Sequence, residues 1–130
     1  MRKKYKIIAL LFVLTIAVLL SSLMEDKVPI KKNEAYYQVQ FCEKVNGITE
    51  FILPDRTRVD CLTDDYAIEV DWAKKWAESI GQSMFYADMT NKKAGVALIV
   101  GEKDHRYLKR INHIARKAKI KIFIIKREKD

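Results

Sequence analysis

From Ile7 to Leu20 the chain carries no charge and no alternation, and a cationic hexapeptide, MRKKYK, precedes it. A cationic stretch followed by an apolar one is the pattern of a signal peptide or signal anchor. Counting through Leu23 gives 17 apolar or small residues, against the roughly 20 that a spanning helix wants. The SSLMED that follows offers only a poor small-x-small cleavage site, which favours a retained anchor. A core helix in so small a domain would show a polar face, and this segment has none. Residues 1–24 therefore read as an N-terminal membrane helix, signal anchor or signal peptide, with membrane contact through residues 7–23. The leading charges predict a cytoplasmic N-terminus and an extracytoplasmic C-terminal domain, membrane-anchored, or secreted if the N-terminus is cleaved.

Past that segment the pattern turns amphipathic. Lys27 to Asn33 is a polar connector containing Pro29, and residues 25–33 form the expected linker to a domain over 34–130. In EAYYQVQFCEKV, Tyr37, Phe41 and Val45 recur every four residues. That spacing predicts a helix capped by Asn33 and ended by Asn46-Gly47. Strands follow at Ile48–Leu53, Thr57–Leu62 and Tyr66–Val70, separated by the turn signals Pro54-Asp55-Arg56 and Thr63-Asp64-Asp65. Asp71 has the position of a cap for a helix from Trp72 to about Ala87, in which Trp72, Trp76, Ile80 and Phe85 pack on the sheet. Val96–Val100 is a short β-branched run, a buried strand. Asp104–Lys119 reads as a basic helix and Ile120–Ile125 as a final strand. The order helix, three strands, helix, strand, helix, strand predicts an α/β fold with a mixed sheet and helices on its faces.

Composition changes this picture little. One domain is the most that 130 residues hold, and 4 Gly with 2 Pro exclude a low-complexity chain. Of the net charge of +8, the residues Arg2, Lys3, Lys4 and Lys6 supply four, leaving +4 from residue 7 onward. Much of that lies from Lys103 on, either as a nucleic-acid footprint or as a solvated basic helix face. Cys42 and Cys61 are either one disulfide, in an extracytoplasmic compartment, or two buried thiols. His105 and His113 lie too far along the chain to make them a zinc site.

The chemistry concentrates between Arg58 and Tyr86. Asp60 and Glu69 are each four or five residues from the Asp64-Asp65 tip, so they face one another across an antiparallel ladder. Two carboxylates at that distance repel unless a cation lies between them, and hard oxygen ligands select Mg²⁺ (or Mn²⁺). Lys75 and Gln82 are nearly two helical turns apart and share a face, with Glu78 and Tyr86 on the same stripe. Lys74 is rotated away from it. Simpler roles also exist: Asp60 paired with Arg58 or Arg56, Glu69 with a lysine, Tyr86 in the core. Glu50 is a reserve member of the cluster, and Glu43 faces solvent.

This order of elements and residues resembles the PD-(D/E)XK nuclease superfamily, over roughly Glu34 to Ile125. Asp60 stands for its first acid and Glu69 for its second, and Gln82-Ser-Met-Phe-Tyr86 resembles the QxxxY motif of the RecB-like branch. Glu34 matches the place of an additional acidic ligand. The run from Arg58 to Ala87 also resembles small hypothetical bacterial proteins of that superfamily. The resemblance implies a restriction-endonuclease-like core (α-β-β-β-α-β-α-β) and a divalent-metal-dependent phosphodiester hydrolase acting on nucleic acid, DNA rather than RNA. Glu34, Asp60 and Glu69 would hold the metal, with Lys75 and Gln82 assisting. The family's Glu-x-Lys is here Glu69-Val70-Asp71, so the lysine has to come from Lys75. Lys103, Arg106, Lys109 and Arg110 are the candidate backbone-tracking residues. The competing expectation is a catalytically inactive, membrane-tethered module with the same fold, for binding or assembly.

Overall fold

Asn33 starts the first helix of the globular unit by accepting the Tyr36 N–H on its Oδ1 at 3.0 Å, which fills one donor that a helix start leaves open. The structure, a computed structural model, describes residues 2–23 and 31–129. Most of the expected linker, residues 25–30, lies outside the described residues, as do Met24 and Pro29. The chain divides into two units, residues 1–31 and residues 32–130. In the first, helix α1 (Arg2–Leu23) exposes apolar side chains such as Ile8, Phe12 and Val18 along its length. Among the described residues no helix is long and apolar enough to cross a membrane.

In the second unit, α2 (Glu34–Lys44) leads into β1 (Ile48–Ile52), β2 (Arg58–Leu62) and β3 (Tyr66–Trp72). A 3₁₀ turn (Ala73–Lys75), α3 (Trp76–Thr90), β4 (Lys93–Val100), α4 (His105–Ala118) and β5 (Lys121–Lys126) complete it. The five strands form one mixed sheet in chain order, antiparallel from β1 to β3 and parallel from β3 to β5. Alternation in β3 and β4 explains the layers. Ile68, Val70, Ala97 and Ile99 pack with Tyr37 and Cys42 of α2 on one face. Val96 and Leu98 pack with Ile111 and Ala115 of α4 and with Trp76 and Ile80 of α3 on the other. Leu53, Val59 and Ala67 receive Tyr86.

Several elements differ from their sequence expectation. β3 does not stop at Val70: Asp71 and Trp72 pair with Leu98 and Ile99 of β4. Asp71 is thus a strand residue rather than a helix cap, and α3 starts at Trp76 and runs on to Thr90. β4 begins at Lys93, three residues before the apolar run, because Lys93 and Ala94 pair with Tyr66 and Ala67. Phe85 is exposed on α3 instead of packed, since Tyr86 takes the inward position.

Cys42 and Cys61 form a disulfide, which ties α2 to β2 across 19 positions of sequence. Gly47 follows from it: a Cβ there would collide with both sulfurs. By loop-closure entropy, replacing both cysteines by alanine is expected to cost about 3 kcal/mol in urea unfolding. Gly47→Ala is expected to cost about 1–3 kcal/mol. In the cysteine-free background its cost shrinks, a coupling that a double-mutant cycle measures.

Candidate functional site

The antiparallel ladder between β2 and β3 pairs Cys61 with Ile68 and Leu62 with Ala67 and then stops. One step further the same register sets Asp60 opposite Glu69. There the Asp60 Oδ2 accepts the Val70 N–H at 2.8 Å, in place of a backbone carbonyl of β2. The two strands separate from this point, and a cleft of about 350 Å³ forms between them and the start of α3.

Alternation along β3 sends Glu69 and Asp71 to the same side, and both are buried. Glu34 comes from the first turn of α2 and Asp60 from β2, and with Glu50 and Glu78 these make six acidic side chains along the cleft. Lys75, Glu78, Gln82 and Tyr86 line it from the 3₁₀ turn and α3. Of the sequence candidates, the cleft therefore gathers Glu34, Asp60, Glu69, Lys75 and Gln82, and also the reserve residue Glu50. Asp71 is the site residue that the sequence reading missed. Its signal was there, two positions after Glu69 on a strand, but its place before an apolar-periodic helix imitated a cap.

Lys75 lies in the 3₁₀ turn and not in the helix, with its Nζ 3.4 Å from the Asp71 Oδ1. The Asp71 Oδ1 also accepts the Trp72 N–H at 2.7 Å. Arg58 does not pair with Asp60; its Nη1 stands 2.7 Å from the Glu50 Oε2. Glu50 holds a left-handed backbone, φ 55°, opposite Asp60, a conformation a glutamate adopts only at a cost. Its Oε1 accepts from the buried Gln38 Nε2 at 2.7 Å, and the same Nε2 donates to the Asp60 carbonyl at 3.1 Å. Glu50 is consequently tied into the wall of the cleft. Lys103, Arg106, Lys109 and Arg110 do not line the cleft: Lys103 precedes α4 and the other three are exposed on it. Beside Lys75, the cations that line it are Arg56 and Arg58, from the hairpin.

The carboxylates repel one another. Burial, then the charges of Asp60 and Asp71, push Glu69 up to about 9, and its Oε2 is buried without a hydrogen-bond partner. Burial and a side-chain hydrogen bond with Asp71 push Glu34 up to about 7. Burial raises Asp60 to about 6 even though the Val70 N–H works against it. Asp71 holds the Lys75 ammonium above its ordinary value. Among the described residues no group of three or more His, Cys, Asp or Glu side chains is arranged so as to hold a metal ion. In chemical type alone, the carboxylate oxygens of the cleft are the donors that a hard divalent cation takes, and one of them, the Glu69 Oε2, has no hydrogen-bond partner.

Comparison with family models, with curated proteins and with solved structures found no match.

A raised carboxyl pKa means that the folded chain binds protons more tightly than the unfolded one. The stability this gives is present at low pH and is lost as pH rises through the folded values. Between about pH 5 and pH 9, wild type is expected to lose more thermal stability than Glu69→Gln. Mg²⁺ or Mn²⁺ is expected to restore part of the loss in wild type alone, as read by differential scanning calorimetry with and without the ion.

Proposed function

We propose that the cleft is the active site of a divalent-metal-dependent phosphodiester hydrolase acting on nucleic acid. One observation carries this: Glu34, Asp60, Glu69 and Asp71 meet at an opened strand pair, and a buried oxygen of Glu69 has no partner. Glu34, Asp60 and Glu69 are the residues that would hold Mg²⁺ or Mn²⁺. Bound there, such an ion polarises a phosphate and lowers the pKa of a water. Asp71 adds a fourth carboxylate and fixes Lys75 by charge. The Lys75 ammonium offsets negative charge on the phosphate oxygens as it develops. Gln82, on the same side of α3, has both a donor and an acceptor with which to orient substrate. Arg56 and Arg58 draw the backbone of the nucleic acid to the mouth of the cleft. Arg106, Lys109 and Arg110 extend this field on α4 without entering the cleft.

A second reading has its own observation. Asp71 occupies the position where the PD-(D/E)XK pattern has lysine, and the nearest ammonium is engaged with it at 3.4 Å. On that reading the unit is an inactive module of nuclease-like fold, for binding or assembly. We also propose that residues 7–23 act as a signal anchor or signal peptide and place the globular unit outside the cytoplasm. The uncharged run of α1 and the Cys42–Cys61 disulfide support this.

Plasmid and oligonucleotide cleavage by the full chain in detergent tests the first reading. Cleavage is expected with Mg²⁺ or Mn²⁺ and not with EDTA. Asp60→Ala and Glu69→Ala are each expected to lower it by at least about a hundredfold, and Lys75→Gln by a smaller factor. Equal rates in wild type and both alanine variants would sink it. If the second reading holds instead, wild type is inactive, and Asp71→Lys, which restores the family spacing, is the substitution expected to gain activity.

A further inference from the structure

A second cleft, of about 290 Å³, is lined by Trp72, Ala73, Lys74, Asp104, Tyr107 and Arg127. It lies at the carboxyl ends of the parallel strands β3, β4 and β5, where open α/β sheets take their ligands. The two clefts share no lining residue but touch along the chain: Trp72 follows Asp71, and Lys74 precedes Lys75.

Its groups are held in place. Trp72 ends β3, and its indole meets Tyr37 edge-on at 5.8 Å between ring centres. The Arg127 N–H donates to the Val100 carbonyl at 2.9 Å, which carries the line of β5 onward, and its guanidinium stands 5.5 Å from the centre of the Trp72 ring. The Arg106 guanidinium covers the Tyr107 ring at 4.7 Å, and its Nη2 donates to the Tyr107 hydroxyl at 2.8 Å. Asp104 is the one acid of the cleft, and its Oδ2 accepts the Gly101 N–H at 2.8 Å. Trp72 and Tyr107 are half-buried, each beside a guanidinium, and the Lys74 side chain is exposed.

Aromatic rings interleaved with cations bind single-stranded nucleic acid: the ring stacks a base and the cations meet the phosphates. A duplex does not present a free base face to such a ring. We propose that this cleft holds one nucleotide of a single strand, beside the nucleotide whose phosphodiester lies at the acidic cleft. Its base stacks on Trp72, and its phosphate lies between Lys74 and Arg127. The proposal rests on the nucleic-acid reading given above and extends it to a single-stranded substrate.

Fluorescence of Trp72 tests it, in the full chain in detergent with Trp76→Phe and with EDTA present to prevent cleavage. Short oligo-dT and oligo-rU are expected to quench the emission saturably. Duplex DNA of the same length and inorganic polyphosphate are expected to leave it nearly unchanged. With a labelled oligo-dT, anisotropy is expected to show a Kd about tenfold weaker for Trp72→Leu and for Lys74→Gln with Arg127→Gln. The lysine and arginine variants change exposed side chains and leave the fold to be verified by circular dichroism. Quenching by polyphosphate equal to that by oligo-dT would mean that the cleft reads charge alone, and would overturn the proposal. So would an unchanged Kd in the double charge variant. Asp60→Ala with Glu69→Ala is expected to keep the quenching. Quenching without cleavage in wild type upholds this cleft and removes the catalytic reading; cleavage without quenching does the reverse.

Discussion

The sheet opens between β2 and β3 because the Asp60 carboxylate takes the Val70 N–H. A carbonyl of β2 would otherwise hold that donor, and a buried N–H without a partner costs about 1–3 kcal/mol. With a side chain in the carbonyl's place the strands can part without leaving the donor orphaned. β3 meanwhile keeps its pairing with β4 as far as Trp72 and Ile99, so it remains a rigid wall. The gap left on its other side is the space into which α2 brings Glu34 and α3 brings Gln82. Were the ladder to continue, Asp60 and Glu69 would still face each other, but no cleft would lie between them and the helices.

Opening the sheet in this way concentrates negative charge. Glu34, Asp60, Glu69 and Asp71 line one cleft, and the ammonium of Lys75 is engaged with Asp71. Buried charges are tolerated when they are paired, protonated or bound to a cation. Burial is the largest cause that raises the pKa values of Glu34, Asp60 and Glu69. The cluster is therefore poorly explained as a device for stability.

Two other features serve this edge of the sheet. The Cys42–Cys61 disulfide joins α2 to β2 one residue from Asp60, so it fixes the helix that carries Glu34 and Gln38 against the strand that carries the first acid. Parallel strands end together, and the ends of β3 and β5 bring Trp72 and Arg127 beside Tyr107 of the first turn of α4 in a cleft of their own. The acidic and the aromatic clefts thus lie in series along Asp71 to Lys75, a stretch of five residues.

Much of the fold was legible in the sequence. The cap at Asn33, the four-residue spacing of Tyr37, Phe41 and Val45, and the turn signals around two short strands are local, and local structure followed them. The opposition of Asp60 and Glu69 was legible too, since a tight turn between antiparallel strands sets their register. Asp71 and Trp72 were not. An aspartate ahead of an apolar-periodic segment looks like a helix cap, and only pairing with the distant Leu98 and Ile99 keeps both residues in β3. Nor does any spacing reveal that Cys42 meets Cys61, that Arg58 joins Glu50 rather than Asp60, or that the basic residues of α4 stay outside the acidic cleft. By itself the sequence determined which segments became strands and helices, because period and turn chemistry act over a few residues. Only the tertiary structure decided which charges share a cleft, because the low-dielectric space that makes those charges matter exists only once β2 and β3 have parted.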